Sequence, residues 1–256
     1  MIVIDKLCYR SKLRYTNAEV KFAYAILTLL FCIISRSLLM AAMVLMVNGV
    51  LTVKKGRIPF RFYGRLMLIP LCFLCLSTLA IIVNIAKTPL DAYAVPIASW
   101  YVTGSRQSLV WALQLISSTW AAVSCLYFLS FNTTMTDILG VLERLHCPAL
   151  MIELAMLIYR FIFVLLESAS QILTAQKARM GYRDFKTSLQ SFGQMGAALL
   201  IRAWKRSDAL YNAMESRGYQ GRLKVLKESS SPKKKEIVML VFVELLLLAG
   251  CIWQLP

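Results

Sequence analysis

Three groups of residues in this sequence have types and spacing that chemistry could use. Cys72 and Cys75 have the CxxC spacing of redox and metal sites. The only histidine, His146, is followed directly by Cys147. Two further stretches, "ARMGY" at 178–182 and "SRGY" at 216–219, each place an arginine at the predicted end of a helix, shortly before Gly-Tyr. The arginine pair is the most informative of the three groups.

The cysteines and the histidine favour structural roles. Cys72 and Cys75 lie within an apolar run, which predicts small buried side chains. His146 and Cys147 lack the third and fourth ligands of a usual zinc site. The sequence also has no HExxH, GxSxG, Walker A or GxGxxG motif. We therefore expect no metal, no cofactor and no catalytic residue, and we expect that the chain is not an enzyme by itself.

The composition indicates an integral membrane protein. Hydrophobic residues make up 59% of the 256 residues and charged residues 16%, and the mean hydropathy is +0.64. Soluble domains are about 45–50% apolar and about 25% charged. A spanning helix needs about 20 apolar residues, and Leu66–Ala86, Leu109–Phe131 and Ile237–Leu255 meet that length. Phe22–Val53 predicts two short spans with a turn at Ser35–Ser37; one tilted helix is the alternative.

The charges predict the orientation of these spans. Five Lys and Arg lie in residues 1–21, five in 54–65 and sixteen in 131–236, whereas the 84–107 loop has two. Lys and Arg near spans stay on the cytoplasmic side. We therefore expect a protein of the cell (inner) membrane with its N-terminus, residues 54–65 and residues 131–236 in the cytoplasm. Residues 84–107 are expected on the outer side of the membrane. The net charge of +16 fits this topology and contact with anionic lipid. No nucleic-acid-binding motif is present, and we expect no nucleic-acid partner.

The block 131–236 predicts a cytoplasmic helical module. A short helix capped by Thr134 or Thr136 ends at Pro148, and two long helices follow over 148–180 and 185–218. A sixth span over 148–180 is the alternative, although each charge there would cost about 2.5–3.5 kcal/mol at the bilayer centre.

Three small residues predict where the two long helices would cross. Gly193, Gly196 and Ala197 would allow close approach of the helix backbones. The predicted fold is therefore an all-α integral membrane protein with about five transmembrane helices. Its first domain would be residues 1–130 with about four spans. A module of one short and two long crossing helices would follow over 131–236, and the last domain would be a span over 237–256.

The two arginine ends allow two interpretations. Gly181 and Gly218 are predicted to end the helices in left-handed geometry, so Arg179 and Arg217 could simply complement the helix dipole. Capping does not require the small residues Ala178 and Ser216 or the repeated tyrosine. An arginine beside a small residue could instead enter a groove of a partner and make forked bonds to a carboxylate or to helix-end carbonyl groups there. The candidate site residues at the two helix ends are Ala178, Arg179, Met180, Gly181, Ser216, Arg217 and Gly218.

Three stretches resemble the T component of energy-coupling factor (ECF) transporters, the transmembrane coupling subunit, of the cobalt/nickel type. They are "IDKLCYRSKLRYTNAEVKF", "PALMIELAMLIYRFIFVLLESASQILTAQKARMGY" and "DALYNAMESRGYQGR". The resemblance implies that the helix ends at Arg179 and Arg217 each bind one of two ATP-binding subunits and that a separate membrane subunit binds substrate. Ser216, where alanine is usual, and Met180, where a smaller residue is common, depart from the family pattern.

Two other functions remain open at this stage. A vitamin-type T component would share the helix ends, since the subunit that selects the substrate is another chain. A permease that binds substrate itself would need partnered polar residues in the spans, where Asn48, Asn84 and Gln114 are isolated in the sequence. The sequence does not distinguish cobalt from nickel as the substrate.

Overall fold

The computed structural model describes residues 3–35, 37–82, 84–86, 93–97, 100–104, 106–219, 221 and 234–254. Nine α-helices occur in this part of the chain: α1 Val3–Arg10, α2 Ala18–Ser35, α3 Leu38–Val50, α4 Phe60–Ile82, α5 Arg106–Asn132, α6 Met135–Arg144, α7 Ala149–Ala178, α8 Phe185–Glu215 and α9 Lys234–Gln254. A 3-10 turn (Lys12–Tyr15) precedes α2, and a π-helical turn (Leu51–Lys55) continues α3. The predicted helical membrane fold is confirmed.

A small antiparallel sheet, which the sequence did not predict, lies between α4 and α5. Its strands are β1 Asn84–Ala86, β2 Tyr93–Ile97 and β3 Trp100–Gly104, in the order β1-β3-β2. Each strand has three to five residues. Segments this short carry too few residues to establish a clear two-residue alternation of apolar side chains.

The chain divides into two compact units. One comprises Ile2–Ile138 with Glu228–Pro256, and is called the bundle unit below. The other comprises Leu139–Lys227, and is called the hairpin unit. The bundle unit contains the helices from α1 to α5 and α9, and the hairpin unit contains α7 and α8.

Helix α5 is central to the bundle unit, where it packs against α2, α3 and α4. Ala121, Cys125 and Phe131 of α5 have almost no exposed surface. The ring of Phe128 meets that of Tyr24 of α2 edge to face at 5.1 Å. Burial of such rings stabilises both the helix contacts and their orientation.

The division of Phe22–Val53 into two helices is confirmed. Helix α2 ends at Ser35, and the side chain of Ser37 accepts a hydrogen bond from the backbone N–H of Met40 at the start of α3. A serine at this position satisfies one of the free N–H groups of a helix N-terminus. The short-helix prediction is also confirmed, because Thr134 Oγ1 accepts from the N–H of Asp137 at the start of α6.

A buried lysine holds the N-terminal segment against the end of α5. The Nζ of Lys21 donates to the backbone oxygens of Asn132, at 2.8 Å, and Leu13, at 3.0 Å. The hydroxyl of Ser11 donates to Oδ1 of Asn132 at 2.7 Å. Carbonyl groups at the end of α5 carry the negative end of its dipole, so the Lys21 cation is well placed there.

Five of the described helices are long and apolar enough to cross a membrane. They cover Ala18–Ser35, Leu38–Lys55, Phe60–Leu79, Gln107–Asn132 and Ala149–Ala178. The first four correspond to the predicted spans. The fifth is α7, which was predicted to lie outside the bilayer, so its position relative to the membrane stays a prediction, as do the domain boundaries at 130 and 236.

Candidate functional site

The first predicted coupling site is the end of α7. Here the backbone N–H of Met180 donates to the oxygen of Lys177 at 3.1 Å, and that of Gly181 donates to the oxygen of Gln176 at 2.8 Å. Met180 itself is left-handed, with a φ of 58°. This pair of hydrogen bonds around a left-handed residue is the Schellman arrangement, which satisfies carbonyl groups of the last helical turn.

The second predicted coupling site, at the end of α8, has the same arrangement. The N–H of Gly218 donates to the oxygen of Glu215 at 2.9 Å, and that of Tyr219 donates to the oxygen of Met214 at 3.0 Å. Gly218 is the left-handed residue, with a φ of 77°. The prediction of left-handed geometry at Gly218 is therefore correct.

The same prediction for Gly181 is wrong, because the left-handed residue is Met180. Relative to the left-handed residue, Arg179 and Arg217 occupy the same position, one residue earlier. The two glycines of the repeated Gly-Tyr occupy different positions, because Gly181 follows the left-handed residue whereas Gly218 is itself the left-handed residue. The two arginines, rather than the two glycines, are thus the structurally equivalent residues.

Gly181 has a different requirement, which is space. A Cβ atom at this position would lie 2.9 Å from the backbone oxygen of Gln176 and 2.9 Å from Oγ of Ser191. Real Cβ atoms essentially never approach that closely. Glycine is therefore needed here so that the end of α7 can approach the second turn of α8.

A hydrogen-bond network fixes this approach. Ser191 Oγ donates to the backbone oxygen of Gly181 at 2.8 Å. Gln176 Nε2 donates to the backbone oxygen of Ser191 at 2.8 Å, and Gln176 Oε1 accepts from the hydroxyl of Tyr182 at 2.9 Å. The network thus orients the helix end that carries Arg179.

The helix end at Arg217 is held by one long-range bond. The hydroxyl of Tyr219 donates to Oε2 of Glu153, in the first turns of α7, at 2.8 Å. This bond raises the pKa of Tyr219, because a nearby carboxylate favours the protonated phenol. The bonds at Gln176 and Glu153 connect opposite ends of α7 and α8, so the two helices form an antiparallel hairpin.

Both arginine side chains are available to a partner. Arg179 and Arg217 are exposed, as are their small neighbours Ala178 and Ser216. Neither guanidinium has a hydrogen-bond or ion-pair partner among the residues that the structure describes. Each is a planar cation with unused N–H donors at a hydrogen-bonded helix end, and a guanidinium of this kind can bind a carboxylate through two parallel bonds.

The structure corrects the prediction that α7 and α8 cross at Gly193, Gly196 and Ala197. All three residues are exposed, and a Cβ atom at either glycine would have no described atom within 4 Å. The hydrogen bonds between α7 and α8 lie near the helix ends instead. The small side chains therefore leave an uncovered strip on α8 rather than a contact with α7.

The cysteines and the histidine do not assemble into a site in the described residues. Cys72 and Cys75 are exposed on α4, which corrects the prediction that they are buried. His146 is also exposed, in the turn after α6. Within the described ranges, no three His, Cys, Asp or Glu side chains come together in a metal-binding group.

Several supporting residues were missing from the sequence-based candidates. The repeated tyrosines were noted, and the structure gives Tyr182 and Tyr219 different acceptors, Gln176 and Glu153. Ser191 lies ten residues beyond Gly181 on another helix. No local pattern marks Gln176, Ser191 or Glu153, because their partners depend on how α7 and α8 pack.

Comparison with known proteins identifies the family. Residues 10–228 match the family model of CbiQ, a cobalt transport protein. The cobalt transport protein CbiQ of Rhodobacter capsulatus is 32% identical over 184 residues, which cover 72% of this chain and 70% of that protein. The putative fused cobalt transport protein CbiMQ of Methanocorpusculum labreanum is 30% identical over 253 residues, which cover 97% of this chain and 41% of the fused protein.

A third relative extends the comparison to the broader transporter class. The energy-coupling factor transporter transmembrane protein EcfT of Streptococcus equi is 36% identical over 100 residues, which cover 36% of each chain. With its apolar helices and these relatives, the chain is a multi-pass membrane protein and a transport component. It belongs to the CbiQ family of cobalt transport proteins, which confirms the resemblance drawn from its sequence.

Proposed function

We propose that this chain is the transmembrane coupling subunit of an ATP-driven, ECF-type importer in the cell membrane. Two ATP-binding subunits would bind the helix ends at Arg179 and Arg217, and a separate membrane subunit would bind substrate. The observation that carries the proposal is the equivalence of the two arginines, each exposed and each one residue before a left-handed helix end.

The chemistry of the helix ends supports a protein partner. A guanidinium can make two parallel bonds to a carboxylate, and the small side chains of Ala178 and Ser216 leave room for the walls of a groove. The sequence has no Walker A motif, so ATP hydrolysis would take place on the partner subunits. Two equivalent ends suit two equivalent partners.

The long helices could transmit movement of the ATP-binding subunits. If ATP binding draws the two partners together, the two ends would move with them, and rigid helices would carry that displacement into the membrane. Exposed apolar side chains on α7 and α8 include Leu154, Ile158, Phe192 and Ile201. Their uncovered surface suits contact with lipid and with an apolar membrane subunit.

Cobalt is the substrate that the names of the relatives favour, and the sequence does not distinguish it from nickel. Two of them are named as cobalt transport proteins, and one of these is a fusion in which this chain corresponds to 41% of the length. A vitamin-type T component is the alternative, and it would equally fit the partial similarity to the energy-coupling factor protein EcfT. A permease that binds substrate itself is the second alternative; the buried Asn48 shows that polar partners exist within the bundle unit.

The proposed topology places the N-terminus, residues 54–65 and residues 131–236 in the cytoplasm and residues 84–107 outside. Single cysteines in a cysteine-free background would test it with an impermeant reagent. A cysteine at Lys54 should react only after the membrane is permeabilised, whereas one at Tyr93 should react in intact cells. External labelling at Arg183 would place the hairpin unit outside and would contradict the coupling role.

The proposal is tested by the composition of the purified complex. The chain would be tagged and co-expressed with the ATP-binding and membrane subunits of its own host, then analysed by native mass spectrometry. We expect two ATP-binding subunits and at least one further membrane subunit for each copy. A stable, transport-active complex without ATP-binding subunits would contradict the proposal. Stoichiometric cobalt binding by the isolated chain in calorimetry would favour the permease alternative.

A further inference from the structure

One carboxyl group inside the bundle unit has no explanation in the coupling role. Glu244 is near the middle of α9, the predicted C-terminal span, and only 7% of its surface is exposed. Both carboxylate oxygens are buried, and neither has a hydrogen-bond partner among the described residues. Ionisable groups inside membrane spans usually have a partner and a function.

The surroundings of Glu244 are the core of the bundle. One turn away on α9, Leu247 belongs to the buried cluster that contains Cys32 and Cys125. On the other side, Leu240 packs against the cluster of Tyr24 and Phe128. Helix α9 therefore presents Glu244 to the interior rather than to lipid, mainly against α2.

Among the residues that the structure describes, none makes an ion pair with the carboxyl group of Glu244. In the described part of the chain, Tyr24 of α2 and Cys125 of α5 interact electrostatically with Glu244, and Cys32 of α2 lies in the same core. Lys21, the buried cation of α2, donates to backbone oxygens at the end of α5 and in the 3-10 turn. From α3, the polar group in this region is the uncharged amide of Asn48.

The neighbouring donors already have acceptors. The hydroxyl of Tyr24 donates to Oδ1 of Asn48 at 2.9 Å. The amide of Asn48 donates to Oγ of Ser124 and to Sγ of Cys125, at 3.0 and 3.2 Å, and Thr28 also donates to that sulfur atom. An ionised Glu244 would therefore have neither a donor nor a counter-charge among the described side chains.

We propose that Glu244 is an intramembrane proton-binding site, whose carboxyl group is neutral and protonated at neutral pH when α9 is packed against α2. A buried carboxylate without partners is far less stable than the neutral acid, so taking up a proton removes the cost of burial. Loss of that proton would place a bare charge between α9 and α2 and weaken their contact. Proton occupancy would thus control the packing of α9, whatever the chain couples to.

Infrared difference spectroscopy of the full chain in micelles tests the protonation state directly. The infrared spectrum of the Glu244→Gln variant would be subtracted from that of the wild-type protein at neutral pH. The difference spectrum should show the C=O stretch of a protonated carboxyl group, and this band should shift in D₂O. Glu215→Gln, at an exposed position of α8, is the matched control and should remove only an ionised carboxylate signal. Finding an ionised carboxylate at Glu244, with or without a bound cation, would overturn the proposal.

Thermal unfolding against pH gives a second, independent measurement. The wild-type protein should lose stability as the pH rises and the carboxyl group ionises, whereas Glu244→Gln should lose this part of the pH dependence. Glu244→Leu should fold at neutral pH, since a neutral acid can be replaced by a neutral side chain. Failure of both neutral variants to fold would contradict the proposal, because it would mean that the charge itself is needed.

Discussion

The hydroxyl of Tyr219 lies 2.8 Å from Oε2 of Glu153 and donates a hydrogen bond to it. The two residues are 66 positions apart, and the bond joins the end of α8 to the beginning of α7. Because Tyr219 is two residues after Arg217, this bond restricts the orientation of one candidate coupling end.

Replacing Tyr219 with phenylalanine should loosen this helix end. The ring is retained and only the donor to Glu153 is removed, so amide hydrogens near Gly218 should exchange faster. Hydrogen exchange followed by mass spectrometry measures this effect. Tyr211→Phe, on the exposed surface of α8, is the control; equal protection in both variants would show that the bond to Glu153 does not support the end.

The same bond predicts an alkaline transition. It raises the pKa of Tyr219, so its contribution to stability is fully present below about pH 10, the ordinary tyrosine value. That contribution is lost as the pH rises through the higher folded-state pKa. Ultraviolet absorbance would be titrated against pH for the wild type and for Tyr219→Phe, and the difference between the two curves reports the phenol of Tyr219. This phenol should ionise above the ordinary pH range of tyrosine. A Tyr219 signal at or below that range would contradict the assigned bond.

Gly181→Ala should destabilise the hairpin unit. The new methyl group would lie 2.9 Å from Gln176 O and Ser191 Oγ, and overpacking of this kind costs about 1–3 kcal/mol. Gly193→Ala is the matched control, since nothing surrounds that position and alanine improves helix propensity by up to about 1 kcal/mol. Thermal unfolding should move the two variants in opposite directions; an unchanged Gly181→Ala would mean that the close approach is absent.

Met180→Gly should stabilise the end of α7. A residue with a side chain in the left-handed region costs about 1–2 kcal/mol, and Met180 has a φ of 58°. Glycine should recover about 1 kcal/mol of the free energy of unfolding. Ala175→Gly, inside α7, should lose a similar amount because glycine is a poor helix former. If both glycine variants were destabilised equally, Met180 would not be left-handed in solution.

Local sequence patterns predicted the helix ends better than the contacts between helices. Gly218 was correctly expected in left-handed geometry, because glycine at the end of an apolar helical pattern is a local signal. At the other end, the same rule selected Gly181, whereas Met180 takes that conformation. Gly181 has a role that its local sequence does not reveal, because Ser191 of α8 needs the space that a Cβ atom of Gly181 would occupy.

The position of contacts depends on packing that the sequence pattern does not contain. The small residues Gly193 and Gly196 suggested a helix crossing, yet they are exposed, since the bonds at Gln176 and Glu153 hold α7 and α8 near their ends. Small residues permit close approach without requiring it. The break near Ser35 was predictable, because a charged residue flanked by serines interrupts an otherwise apolar run.

The central claim is that Arg179 and Arg217 bind the two ATP-binding subunits. Loss of one partner of a buried, hydrogen-bonded charge pair costs about 2–5 kcal/mol, so Arg179→Ala or Arg217→Ala should weaken binding about thirtyfold or more. Lysine should rescue binding only in part, because an ammonium group cannot reproduce the planar guanidinium. Folding should change little, since a cation at a helix end contributes about 0.3–1 kcal/mol.

The most direct measurement is therefore the affinity of the purified ATP-binding subunits for the full-length chain in lipid nanodiscs. It would compare the wild type, the double variant Arg179→Ala/Arg217→Ala and the control Arg183→Ala, whose exposed side chain lies beyond the helix end. We predict that the double variant loses nearly all binding while the control binds as the wild type does. Wild-type affinity in a folded double variant would show that the arginines only cap their helices and would contradict the coupling role.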